Sequence, residues 1–235
     1  MNYKVVGIIG AMDVEVELII DEIKKNSVYH ETCACGMRFN IGVIAGITVI
    51  VVRSGVGMVN ASLCAQILID KFDVDAIINT GIAGSLDTNI DICDMVIGSA
   101  AVNHLMNVEN LGYKKGQVPG IDTITFPCDS ELSGDIKHAA EQLGIRTHEG
   151  IVASGDKFVC STQDKDFITS TFGAKCCEME GAAIAQACYL SKTPCAIVRS
   201  ISDKADGSSY EDYPTFEAKA AKQSAQLMVT MLQNL

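Results

Sequence analysis

Three carboxylates and one guanidinium stand at or near the ends of apolar runs in this chain of 235 residues. Glu15 follows the run Val5 to Met12, Glu180 follows Lys175 to Met179, and Asp203 follows Cys195 to Ile201, the run that carries Arg199. Carboxyl groups on either side of a scissile bond are the equipment of acid–base cleavage. One keeps its proton and gives it to a leaving group, and another takes a proton from water. Each residue also has a plainer use. Glu15 and Glu180 suit the first turn of a helix, where the dipole favours acids. Asp203 after Ser202 suits a turn, and Arg199 suits a buried ion pair.

The elements that must position them are legible as a pattern. Ala174 to Asp206 reads as strand, carboxylate turn, Ala-rich helix (Gly181 to Leu190), strand and carboxylate turn. A unit of this length predicts a right-handed parallel crossover, which would bring Glu180 and Asp203 to one carboxyl edge of a sheet. The rest of the chain alternates in the same way. Strands are expected at Val5 to Gly10, Phe39 to Ala45, Thr48 to Arg53, Ala76 to Asn79, Asp94 to Ala101 and Gly150 to Ala153. Helices are expected at Asp13 to Lys25, Val59 to Lys71, Asp129 to Leu143, Gln163 to Phe172 and Thr215 to Leu232. Phe39 to Arg53 reads as a hairpin, and Thr80 to Gly84 as a turn. With no linker or repeat, residues 1–235 read as one α/β domain, three layers α/β/α around a mixed central sheet.

Composition narrows the function. Hydrophobic residues are 48% and charged residues 20%, a globular balance. A net charge of −11 without a local basic cluster argues against nucleic acid as a partner. No apolar run reaches the ~18 residues of a membrane span. Asp13, Glu15 and Glu17 follow the first apolar run at once, so no signal peptide is expected and the cytoplasm is the expected compartment. The ten cysteines are scattered and none forms Cys-x-x-Cys, so they read as free thiols in a reducing compartment rather than as metal ligands. Several strand ends run into glycine: Gly10-Ala11, Gly55-Val56-Gly57, Gly81-Ile82-Ala83-Gly84 and Ser154-Gly155-Asp156. Glycine lets a ligand approach the backbone closely. None of these turns is a phosphate loop, and Gly7-x-x-Gly10 lacks the full dinucleotide pattern, so no cofactor is expected.

The segments GIIGAMDVEVE, INTGIAGSL, SGDKFV, CEMEGAAIAQ and VRSISDKAD, in this order and over essentially the whole chain, resemble bacterial 5′-methylthioadenosine/S-adenosylhomocysteine nucleosidases, of the nucleoside phosphorylase superfamily. The resemblance implies a phosphorylase-like fold, a homodimer and hydrolysis of the adenine N-glycosidic bond. It implies roles as well. Asp203 matches the acid that protonates adenine N7, with Ser202 in support. Glu180 matches the carboxylate at the ribose 2′- and 3′-hydroxyls, with Met179 against the sugar. Glu15 matches the base that activates water, with Arg199 holding Glu15 or the water. Phe158 would stack on adenine while the backbone of Val159 reads the base edge. Ala83, Gly84 and Glu178 are further implied contacts. Met12, Val56 and Tyr213 would line an apolar 5′ pocket that Leu111, Tyr113 and Pro119 of a neighbouring subunit close.

Two stretches depart from the family pattern. Ile82 stands where the family usually has Ser, which removes a hydroxyl near the attacking water. His104-Leu105-Met106-Asn107 and Leu111 replace an acidic and aromatic pattern, which bears on the 5′ substituent accepted. A nucleosidase acting on a futalosine-type nucleoside, a purine nucleoside phosphorylase and a non-catalytic nucleoside-binding module are the competing readings.

Overall fold

The strand Ala76–Ser85 is buried along its whole length, as a strand covered on both faces must be. It is the fifth of ten in a computed structural model that describes residues 3–25 and 28–235. In chain order the elements are β1 (Val5–Gly10), α1 (Asp13–Lys24), β2 (His30–Ala34), β3 (Met37–Ile44), β4 (Ile47–Arg53), α2 (Met58–Phe72), β5 (Ala76–Ser85) and β6 (Met95–Asn103). They continue with β7 (Phe126–Pro127), α3 (Ser130–Gln142), β8 (Thr147–Ser154), α4 (Thr162–Phe172), β9 (Cys176–Glu178), α5 (Gly181–Ser191), β10 (Cys195–Asp203) and α6 (Ser209–Asn234).

The sheet is mixed. β4, β1, β5 and β10 pair in parallel, and β3 and then β2 add antiparallel at one edge. Beyond β5 the sheet closes on itself: β5 pairs with β9, β9 with β8, β8 with β6, β6 with β10, and β10 with β5 again. A ring of strands leaves no open edge within it. Period-two alternation sends neighbouring side chains to opposite layers. Ile8, Ile78 and Val198 pack under α1, α3 and α6, against Val16, Ile19, Ile136 and Leu227. Ile9, Ile77 and Ile197 pack under α2 and α5, against Cys64, Leu68, Ile184 and Cys188. Each such fully buried aliphatic side chain contributes about 1.5–3 kcal/mol relative to exposure. The fold is therefore α/β, with helices on both sides of a mixed sheet.

Four expectations are corrected. The Glu180–Asp203 unit is not a parallel crossover: β9 is antiparallel to β5 while β10 is parallel to it, so β9 and β10 run in opposite senses. The two carboxylates still meet, because Gly84 near the end of β5 pairs with Cys177 on one side and with Asp203 on the other. Thr80 to Gly84 is not a turn but the continuation of β5, held by those two partners and by Thr80 Oγ1 against Ser224 Oγ of α6 at 2.7 Å. The last helix starts at Ser209, six residues before the expected start, with Pro214 inside it. Pro214 is the sixth residue of α6, so its missing N–H forgoes one intrahelical bond in the second turn. Ser208 Oγ, bonded to Asp206 and to Asp212 at 2.8 and 2.7 Å, fixes that first turn. Finally, residues 30–34 carry no expected element, yet their polar, mostly exposed sequence HETCA forms the edge strand β2 on β3.

Candidate active site

One cleft collects most of the residues singled out in the sequence. Glu15 and Met12 reach it from the turn between β1 and α1. Val56 comes from the turn after β4, and Ile82, Ala83 and Gly84 from β5. Phe158 comes from the loop after β8, Met179 and Glu180 from the turn after β9, Ser202 and Asp203 from the end of β10, and Tyr213 from α6. Ala11, Cys177 and Glu178 complete the wall. Val159 lines an adjoining recess with Lys157, Phe158 and Asp203. Phe158 and Tyr213 meet edge to face, with ring centroids 5.4 Å apart, a favourable aromatic geometry.

Glu15 is buried, and among the described residues its carboxylate accepts from three backbone N–H groups. Oε2 takes Ala11 at 2.7 Å and Met12 at 2.9 Å, and Oε1 takes Ile82 at 3.1 Å. The plain reading and the chemical one are thus both true of it: Glu15 caps the start of α1 and also faces the cleft. Burial raises its pKa, against the lowering effect of the Arg199 charge and of the three N–H donors. A carboxylate made more basic in this way is a better proton acceptor.

Glu178 and Glu180 lie two residues apart and do different work. Glu178 turns onto the start of α5, accepting from Glu180 N–H at 3.1 Å and from Gly181 N–H at 2.8 and 3.0 Å, and it also takes the Ser154 hydroxyl. Glu180 instead reaches across the cleft to Gly57 N–H, 2.8 Å away. Burial first, and the Glu178 charge second, raise its pKa from the ordinary 4.5 to about 7. Gly57 has φ +103°, and a Cβ there would meet Asp156 Oδ1 at 2.9 Å; only glycine suits that turn. Asp156 itself accepts from Met58 N–H at 2.7 Å, so two carboxylates hold the start of α2.

Asp203 is buried at the end of β10. Its Oδ2 accepts from Ser202 Oγ at 2.9 Å, and its Oδ1 from Ala205 N–H at 2.8 Å and from Ser209 Oγ at 2.6 Å.

One expected residue stands outside the cleft wall. Arg199 is buried behind the cleft wall rather than lining it. Its guanidinium is paired with Glu178 and with Asn79, whose carbonyl accepts at 3.0 Å, and no hydrogen bond joins it to Glu15 among the described residues. Leu111, Tyr113 and Pro119, expected to act on a neighbouring subunit, lie on the segment between β6 and β7 away from this subunit's cleft; Leu111 and Pro119 are exposed and Tyr113 is half-buried. Sequence reasoning in turn missed Asn79, Ser154, Asp156 and Ser209. Asn79, Ser154 and Asp156 sit inside motifs already singled out and could have been found there. Ser209 is a common serine whose partner Asp203 lies on another element, and nothing in the local sequence marks it.

Residues 5–233 match the model of the Phosphorylase superfamily. A 5′-methylthioadenosine/S-adenosylhomocysteine nucleosidase of Shewanella pealeana is 38% identical over 232 residues, covering 98% of this chain and 99% of that one. Two solved structures from Helicobacter pylori superpose closely. One is an Asp-to-Asn variant of the 5′-methylthioadenosine/S-adenosylhomocysteine nucleosidase with 5′-methylthioadenosine in the active site (TM-score 0.94, 32% identity, all of both chains). The other is a futalosine hydrolase (TM-score 0.93, 32% identity, 99% and 98% of the two chains). The chain belongs to the phosphorylase superfamily and, within it, to the family of 5′-methylthioadenosine/S-adenosylhomocysteine nucleosidases.

Proposed function

We propose that this protein hydrolyses the N-glycosidic bond of 5′-methylthioadenosine and S-adenosylhomocysteine, releasing adenine. One observation carries the choice of hydrolysis over phosphorolysis. Among the described residues the cleft is lined by four carboxylates, Glu15, Glu178, Glu180 and Asp203, and by no lysine or arginine. A phosphate nucleophile needs a cationic cradle, whereas water needs a base. The reaction balances with water alone. Asp203 gives its proton to N7 and adenine departs with the bonding pair. Glu180, beside the sugar, stabilises positive charge growing on the ribosyl group. Glu15 takes a proton from the water that adds to the anomeric carbon. Phe158 offers a ring face to the base, and Met12, Val56 and Tyr213 offer an apolar wall to the 5′ substituent. Arg199 acts from behind, by neutralising Glu178. No cofactor or metal takes part in this scheme.

The active form we propose is a homodimer of one-domain subunits in the cytoplasm, serving methionine salvage. The apolar face shared by α2 and α5 supports the dimer. Val59, Leu63 and Leu190 are exposed there and line a groove with Met58 and Ala187, next to Val56 at the mouth of the cleft. Contiguous exposed apolar surface of this kind marks an association site. A second copy seated on it would bring Leu111, Tyr113 and Pro119 over the 5′ end of the neighbouring cleft. The ten cysteines are free thiols, which suits a reducing compartment.

The test is base release from 5′-methylthioadenosine, S-adenosylhomocysteine and a futalosine-type nucleoside, followed by chromatography. Adenine from the first two is expected. Turnover of the third alone would move the protein to the neighbouring specificity, and turnover of none would refute the reading.

A further inference from the structure

The two oxygens of Asp203 have unequal surroundings. Oδ1 accepts from two donors, the Ala205 N–H at 2.8 Å, which can only donate, and the Ser209 hydroxyl at 2.6 Å. Ser209 is fully buried as the first residue of α6, and its Oγ accepts Asp206 N–H at 3.0 Å. That bond takes one of the two lone pairs of the hydroxyl, and Asp203 Oδ1 is the acceptor to which its O–H is directed. Oδ2 has a different partner. Ser202 Oγ lies 2.9 Å from it but also lies 3.4 Å from the Ala83 carbonyl, so Ser202 can turn away when Oδ2 carries a proton.

We propose that Ser209 is a positioning residue for the general acid, holding Oδ1 as an acceptor so that the transferable proton of Asp203 resides on Oδ2. A proton on Oδ1 would oppose two donors at hydrogen-bond distance, and a donor left facing a donor carries the full cost of an unmet bond. The carboxyl group is held in this orientation by donors on both oxygens, Ala205 N–H and Ser209 Oγ at Oδ1 and Ser202 Oγ at Oδ2. Ser209 therefore selects both the protonated oxygen and its orientation, from an element other than the one that carries the acid. This inference rests on the proposed role of Asp203.

Ser209→Ala, Ser209→Cys, Ser209→Thr and Asp203→Asn would be assayed on two substrates, 5′-methylthioadenosine and a nitrophenyl 5-methylthioriboside, whose leaving group needs no proton. Ser209→Ala should lower kcat for the adenine substrate by on the order of 10- to 100-fold with KM little changed, and leave the nitrophenyl substrate unaffected. Ser209→Thr should recover most of the loss, and Ser209→Cys, a weaker donor of similar size, part of it. Equal losses on both substrates would make Ser209 a packing residue and overturn the proposal. So would an unchanged Ser209→Ala beside an Asp203→Asn that is defective on adenine alone, an outcome that leaves the acid role standing. If Asp203→Asn impairs both substrates equally, the acid role itself fails.

Discussion

The guanidinium of Arg199 is paired with Glu178, and both side chains of the pair are shut off from solvent. Arg199 thereby neutralises the carboxylate that ties down the start of α5, while Glu15 and Glu180 face the cleft.

A buried pair of this kind is costly to break from one side. Arg199→Met should destabilise the fold by about 3–5 kcal/mol, read from urea unfolding, because Glu178 is left without a counter-charge. Adding Glu178→Gln should return much of that loss. Wild-type stability in the single variant would show that the pair carries no such weight.

Glu180 sets a pH dependence with a definite sign. Burial and the neighbouring Glu178 charge place its pKa at about 7. The ionised form is the one that accepts bonds from sugar hydroxyls, so kcat/KM should rise with pH through about 7. Glu178→Gln removes a negative charge and frees that of Arg199, and both changes favour the ionised form. The acid limb should then move to lower pH. A limb that stays in place or moves upward would contradict the assignment.

Glu15 accepts three N–H groups with its two oxygens. Glutamine at this position has one acceptor oxygen and must turn its NH₂ toward a backbone donor. Glu15→Gln should cost about 1–3 kcal/mol of stability in addition to roughly 10²–10⁴-fold in kcat for loss of the base. Unfolding and turnover measured on the same preparation separate the two. Full activity in this variant would remove Glu15 from the mechanism.

The exposed face of α2 and α5 tests the dimer. Leu63→Asp places a charge on it at a position already half open to solvent, so the subunit itself should stay within about 0.5 kcal/mol of its stability. Sedimentation should show dissociation, and KM for a 5′-alkylthio substrate should rise as the cleft loses its cover. A variant that stays dimeric, or a fully active monomer, would refute the arrangement.

Much of this site is legible in the sequence because strand ends deliver it. Glu15, Glu180 and Asp203 each follow an apolar run, and each arrives in the cleft. The direction of β9 is not legible: three residues cannot report which neighbour they pair with, and the closure of the sheet through Gly84 decides it. The partner of Arg199 is hidden for a related reason. Glu15 and Glu178 both stand within reach of a buried cation, and what separates them is that β9 sets Glu178 beside Asn79 and the guanidinium. The start of α6 is not legible either: the polar stretch after Asp203 reads as loop up to Thr215, which leaves Ser209 outside the expected helix.

The most direct measurement is the product formed from 5′-methylthioadenosine with and without inorganic phosphate, in water enriched in ¹⁸O. Adenine should appear at the same rate in both, beside free 5-methylthioribose carrying the label at its anomeric oxygen. A rate that requires phosphate, with 5-methylthioribose 1-phosphate as the product, would contradict a cleft in which Glu15 delivers water.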